Sequence, residues 1–157
     1  MILLAIDPGP EESAWVEYDA AERRPLRWAK EENVLVSHHA HVSTVDACAI
    51  EMIASYGMAV GQETFDTCVW VGRFVERWMD GPGIAYAPRL VYRREVKLHL
   101  CGDSRAKDPN IRQALIDRFG GKEQAIGRKA TPGPLYGMTG DCWSALGVAI
   151  TAAETGV

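Results

Sequence analysis

Five apolar residues, Ile2 to Ile6, run without interruption and stop at Asp7-Pro8-Gly9. A short apolar run closed by a turn signature is the pattern of a buried strand. It puts a carboxylate at the end of a strand whose other side chains belong to a core. Such a group is poorly solvated and needs a partner, commonly a metal ion or a base.

A second buried strand is expected over Ala47 to Ile53, and it carries an acid too, Glu51. Two further strands, Ser13 to Tyr18 and Leu26 to Lys30, are separated by the polar stretch Asp19 to Pro25. With the first strand they predict a three-stranded antiparallel meander. The segment from Glu31 to Asp46 is ambiguous, and His38, His39 and His41 do not settle it. From Gln62 to Met79, apolar residues recur at Phe65, Cys68, Val69, Gly72, Val75 and Met79, which predicts a helix with one buried stripe. Trp70, Val71, Phe74 and Trp78 lie partly off that stripe, extra apolar surface of the kind that often marks an interface. Gly81-Pro82-Gly83 ends the helix, and Ile84 to Ala87 reads as a short strand.

Helices are expected over Arg93 to Leu100 and Asn110 to Phe119. Residues 120–140 read as a Gly- and Pro-rich loop containing Arg128, Lys129 and Tyr136. Thr139 is a candidate N-cap for a last helix from about Asp141 to Glu154. The order of elements predicts one α/β domain over residues 1–157, a mixed sheet with helices packed on it.

At 157 residues, 47% hydrophobic and 24% charged, the chain can build one real core. No apolar run is long enough to span a bilayer, and the run at 2–6 is too short for a secretory leader. The expected location is the cytoplasm. Cys48, Cys68, Cys101 and Cys142 form no C-x-x-C pair and sit among apolar residues, so they read as buried free thiols. The net charge of −4 conceals an uneven spread. Residues 1–88 hold 6 Lys/Arg against 14 Asp/Glu, whereas residues 89–129 hold 11 against 5. A basic block inside an acidic chain is either a phosphate-binding face or a solvated surface.

Three acids stand at unusual places: Asp7 ending a strand, Glu51 within one, and Asp141 opening the last helix. Strand ends converge on one sheet edge, and a helix packed on the sheet could add Asp141. Three carboxylates meeting there would form an oxygen-rich site for Mg²⁺ or Mn²⁺. Each acid also has a purely structural reading. Asp7 can initiate the turn, Glu51 can face solvent, and Asp141 can sit at the positive end of the helix dipole.

Leu4-Ala5-Ile6-Asp7-Pro8-Gly9 followed by Ser13-Ala14-Trp15 resembles the opening of RuvC-like Holliday-junction resolvases. Ala49-Ile50-Glu51 resembles their second acidic strand. Glu95-Val96-Lys97, Gly102, Lys107 and Ile111-Arg112-Gln113 resemble their basic helix-turn-helix stretch. Gly140-Asp141 and Ser144 to Thr151 resemble their last acidic helix. The matches occur in family order across nearly the whole chain, and the short length and the region from Glu51 to Trp78 look more like phage- or prophage-borne members.

The resemblance implies an RNase H-like fold, a homodimer, and a metal-dependent endonuclease that cuts branched DNA to leave 5′-phosphate and 3′-hydroxyl ends. It implies two Mg²⁺ or Mn²⁺ ions per site held by Asp7, Glu51 and Asp141. It assigns DNA contacts to Lys97, Lys107 and Arg112, with Arg128, Lys129 and Tyr56 as further candidates. The family usually places a second coordinating side chain three residues after the acid of the last helix. Here that position is Ser144, a weaker metal ligand, and Asp108 is a further acid that the sequence does not place. The alternatives are a structure-selective DNA-binding protein with a weakened nuclease site and an actin-like phosphotransferase. The latter's Gly-rich phosphate loops and usual length are missing.

Overall fold

A computed structural model describes residues 1–82, 84 and 86–157. Its main sheet has five strands in the order β3-β2-β1-β4-β5. These are β1 (Ile2–Asp7), β2 (Glu12–Asp19), β3 (Arg24–Glu32), β4 (Ala47–Met52) and β5 (Arg89–Tyr92). The first three form the expected antiparallel meander. β4 runs parallel to β1, and β5 parallel to β4.

Helices cover both faces, which is why β1 is apolar throughout. Leu3 and Ala5 point into a core shared with α3 (Arg93–Cys101), α4 (Asp108–Arg118) and α6 (Cys142–Thr155). Leu4 and Ile6 point into a second core beneath α1 (Asn33–Val42) and α2 (Gln62–Met79). Each of the leucine and isoleucine side chains fully removed from water contributes about 1.5–3 kcal/mol before the entropic cost of ordering it. On α6, ten residues are buried, from Cys142 through Ala152 with Ser144 excepted. Gly147 in its middle lies so close to α3 that an added Cβ would stand 3.1 Å from Val96 Cγ1 and 3.4 Å from Leu100 Cδ1.

Several boundaries differ from the sequence reading. The ambiguous stretch after Glu31 completes β3 and then forms α1, which starts at the buried Asn33. Helix α2 has the expected limits but the opposite face inward. Its buried residues are Thr67, Val71, Phe74 and Trp78, while Phe65, Val69 and Met79 are exposed. The bulky aromatic set fills the core because it supplies more apolar area than the stripe of Val, Cys and Gly. Val71, Phe74 and Trp78 therefore cannot be dimer contacts. The strand expected at Ile84 to Ala87 includes Ala85, outside the described residues; Ile84, Tyr86 and Ala87 are in no strand, and the edge strand lies at Arg89–Tyr92.

The stretch 120–140 is not a plain loop. It contains α5 (Lys122–Ala125) and a small hairpin of β6 (Gly127–Arg128) with β7 (Thr131–Pro132). Asp141 rather than Thr139 is the N-cap of α6, without a side-chain cap hydrogen bond. All four cysteines are free thiols; Cys48 and Cys142 are buried, Cys68 and Cys101 only half-buried. Among the described residues no helix is long and apolar enough to cross a membrane.

Candidate metal and nucleic-acid site

The turn after β1 is fixed by side chains from two other elements. Gly9 N–H donates to Ser13 Oγ at 3.1 Å, and Asn33 Nδ2 donates to the Gly9 carbonyl at 2.9 Å. Ser13 Oγ donates to Asn33 Oδ1 at 2.5 Å, closing the network. Only glycine fits at position 9, because a Cβ would lie 2.3 Å from the Glu12 carbonyl oxygen. Asp7 is thus anchored at the lip of the sheet by Ser13 and Asn33 behind its turn.

Sheet register then lines up the chemistry. Lys30 on β3 pairs with Ala14 on β2, and Ala14 pairs with Asp7 on β1. One rung beyond the Ile6–Ile50 pair, Asp7 is followed on β4 by Glu51, which pairs with Val91 on β5. Side chains alternate along a strand, so this row faces the same way as Leu3, Ala5 and Ala49, toward α6. The start of α6 brings Asp141 to the same edge.

Burial above all, then repulsion from and hydrogen bonding with Glu51, pushes the Asp7 carboxyl well above the usual carboxylate range; Arg93 opposes this, and Asp141 adds to it. The other two acids have cations beside them. Arg93 Nη1 lies 3.4 Å from Glu51 Oε2, and the second terminal nitrogen of Arg93 binds Asp108 Oδ1. Lys30 Nζ lies 2.8 Å from Asp141 Oδ2 and 3.9 Å from Glu12 Oε2. Burial works against the charge on Arg93, but Glu51, Asp108 and Asp7 outweigh it and hold its pKa above the ordinary value. The hydrogen bond and charge of Asp141 raise that of Lys30.

Two openings flank these groups. A small one of about 210 Å³ is lined by Asp7, Pro8, Glu51, Tyr56, Thr67 and Arg93 among others. A broader cleft of about 600 Å³ is lined by Arg93, Asp108, Ile111, Arg112, Lys122, Asp141, Trp143 and Ser144 among others. Arg93 borders both. In the broad cleft the Arg112 guanidinium stands 4.9 Å over the Trp143 ring, a cation–π contact that aims a positive charge along the cleft wall.

Of the residues singled out from sequence, Asp7 and Glu51 come together, and Asp141 stands at the same edge against Lys30. Tyr56 is exposed at the rim of the Asp7–Glu51 opening. Ser144 and Arg112 line the broad cleft, and so does Asp108. Lys107, Arg128 and Lys129 are exposed outside these linings, and Lys97 is half-buried on α3. Lys30, Arg93 and Lys122 were missed. The register Lys30–Ala14–Asp7 follows from pairing the meander, so Lys30 was within reach of a register argument; no local signal marks Arg93.

Among the described residues no three His, Cys, Asp or Glu side chains already converge as a cation cage. Asp7 and Glu51 nonetheless fit a hard divalent cation. Two carboxylates that share a desolvated edge and repel one another form an all-oxygen donor pair that such an ion relieves. Asp141 would join them by leaving Lys30.

No family model matches the chain, and no curated protein does. Solved structures do. RuvC of Thermus thermophilus superimposes with a TM-score of 0.70 at 16% identity, covering 98% of this chain and 93% of that one. RuvC of the same organism in complex with a Holliday-junction substrate gives 0.69 at 17% identity with the same coverage. The fold is therefore the RNase H-like one of RuvC, a mixed five-stranded sheet flanked by helices, as expected from the motifs.

Proposed function

We propose that this protein is a divalent-metal-dependent endonuclease of the RuvC type that cuts branched DNA by phosphodiester hydrolysis. The observation that carries the reading is the half-buried Asp7 carboxyl set against Glu51 at the sheet edge, on the fold of a protein solved with a Holliday-junction substrate. Asp7, Glu51 and Asp141, with Ser144 beside them, would hold Mg²⁺ or Mn²⁺, expected at two ions per site. An ion held by these residues would supply an activated water and positive charge at the leaving oxygen, with 5′-phosphate and 3′-hydroxyl ends expected.

The chain's own residues do the rest. Arg112 and Lys122 line the cleft and would hold backbone phosphates; Lys97, Lys107, Arg128 and Lys129 would extend that contact along the duplex arms. Tyr56, at the rim of the acid opening, would stack on a distorted base. A homodimer would present one such edge to each of two strands of a symmetric junction. With Val71, Phe74 and Trp78 in the core, its contact would fall on the outer face of α1 and α2, where Val34, Leu35, Phe65 and Val69 are exposed.

A specific observation favours a second reading, a junction-binding protein with weakened cleavage. Glu51 and Asp141 each carry a protein cation, and Ser144 stands where the family that the motifs resemble usually places a second coordinating side chain. Incubation of a labelled four-way junction and a matched duplex with Mg²⁺ or Mn²⁺ tests both. Junction-selective cleavage supports the nuclease; binding without cleavage supports the alternative; neither, with folded protein, overturns both.

A further inference from the structure

Arg93 is the first residue of α3 and follows directly on β5, the neighbour of the strand that carries Glu51. That junction sends its side chain between the two openings of the site, where it borders both. One end of its guanidinium meets Glu51 at 3.4 Å, and the other meets Asp108 at the start of α4. The Glu51 side chain is 13% exposed and that of Asp108 77%. The inner pair is thus shielded from salt and the outer one is solvated. An arginine cannot shed its proton to resolve a conflict, and its planar fork suits carboxylate and phosphate equally well.

We propose that Arg93 is a positioning residue that occupies Glu51 until a DNA phosphate takes over its guanidinium, so that backbone binding frees Glu51 for the divalent cation. A guanidinium and a metal ion cannot both claim Glu51 Oε2 at close range, since like charges repel and the oxygen is shared. In the free protein Arg93 takes the place of that ion. A phosphate entering the broad cleft along Arg112 and Lys122 meets Arg93 on its cleft side, where the solvated Asp108 holds it. Moving the guanidinium onto phosphate replaces one charge-assisted pair by another and leaves Glu51 with an unpaired charge beside Asp7. Metal and DNA then strengthen each other's binding, because a coupling between two sites is reciprocal. The free protein is correspondingly a poor binder of metal and does not hold a reactive centre ready in the absence of substrate.

The inference rests on the nuclease reading for its substrate, but its decisive test needs neither cleavage nor DNA. Mn²⁺ is titrated calorimetrically into the wild-type protein, Arg93→Gln, Arg93→Met, Arg93→Lys and the double variant Arg93→Gln/Glu51→Gln, each checked for folding by circular dichroism. The neutral variants should bind Mn²⁺ more tightly by about tenfold, inside the usual range for coupled sites. Arg93→Lys should stay near wild type because it keeps the charge, and the double variant should lose the gain, which locates the ion at Glu51. Equal or weaker Mn²⁺ binding by both folded neutral variants overturns the proposal, as does an absence of Mn²⁺ binding throughout. In a second arm, affinity for an intact four-way junction is compared in EDTA and in Ca²⁺. Wild-type affinity should rise with Ca²⁺, and that of Arg93→Gln should respond much less. A junction that no variant prefers over duplex counts against the substrate assigned above and leaves the Mn²⁺ comparison to decide the role of Arg93.

Discussion

Lys30 Nζ lies 2.8 Å from Asp141 Oδ2, tying the outermost strand of the meander to the cap of the last helix. Both side chains are about half exposed, so the pair contributes only about 0–1 kcal/mol to stability. Its effect should fall on the site instead. Lys30→Met should leave the melting temperature almost unchanged and lower the Mg²⁺ concentration for half-maximal junction cleavage, because Asp141 is released. A melting temperature that drops by many degrees would make the pair a structural strut.

Ser144 lines the same cleft as Asp141, three residues along α6. A hydroxyl holds a hard cation less well than a carboxylate. Mn²⁺ should therefore support cleavage better than Mg²⁺ in the wild-type protein. Ser144→Asp should tighten metal binding and narrow the difference between the two metals. An unchanged Mg²⁺ requirement would show that position 144 does not face the ion.

Asp7→Asn should abolish cleavage and stabilise the metal-free protein at neutral pH. Burial and Glu51 raise the Asp7 pKa in the folded state above its unfolded value. A group raised in this way contributes stability below its unfolded pKa and loses it as pH rises through the folded one. At pH 7 the raised Asp7 carboxyl thus works against the fold, whether it is held as a buried charge or takes up a proton on folding, and asparagine removes that cost. Calorimetry in EDTA should show a higher melting temperature for the variant at pH 7, each kcal/mol being worth about 2–4 °C in a domain of this size. The gap should close as pH falls toward 3.8, the ordinary value for aspartate. Equal melting temperatures across that range would mean that Asp7 is not under the strain described.

Tyr56 is 65% exposed at the mouth of the Asp7–Glu51 opening, which is a wasteful place for a core tyrosine. Tyr56→Ala should preserve the fold and weaken junction affinity by roughly 1–3 kcal/mol, the usual worth of one base–aromatic stack. A fluorescent base analogue at the crossover should lose its quenching in the variant. Unchanged affinity with unchanged fluorescence would return Tyr56 to the status of a surface residue.

The two faces of α2 should respond in opposite ways. Phe74 is fully buried, and Phe74→Ala should cost about 3–5 kcal/mol in chemical denaturation. Val69 is exposed, so Val69→Glu should leave monomer stability nearly intact. If the outer face of α1 and α2 is the dimer contact, light scattering should show Val69→Glu as a monomer at concentrations where the wild type is a dimer. A wild-type monomer at micromolar concentration would remove that contact.

The strand that ends in Asp7 was legible because its whole environment is local: an apolar run, then Pro and Gly. Glu51 was legible for the same reason, since a lone acid inside Ala-Cys-Ala-Ile is conspicuous. The meander followed from short connections. The inward face of α2 was not legible. Periodicity fits both the Phe65–Cys68–Val69–Gly72 stripe and the Val71–Phe74–Trp78 one, and the choice depends on what β4 and α1 present to the helix. Arg93 was hidden for a related reason. Its partners lie 42 and 15 residues away, and nothing in Tyr-Arg-Arg-Glu distinguishes a guanidinium turned inward from one in solvent. The basic block was recognised as a block, but the sequence could not say that Arg112 and Lys122 border the cleft while Lys107 and Lys129 do not.

The missing side chain at position 147 sets a spacing. Because Gly147 lets α6 rest directly on Val96 and Leu100 of α3, the two helices that begin at Cys142 and Arg93 approach closely at that point. Asp141 at the cap of one helix and Arg93 at the start of the other both line the broad cleft, so a spacing set by one absent methyl group in the core reaches the site. A lineage that acquired alanine there would have to wedge the helices apart by a few tenths of an ångström or bend one of them. Such a shift would skew the cleft that Arg93 and Asp141 line, so that this glycine is constrained by the site's geometry as much as by the core it sits in.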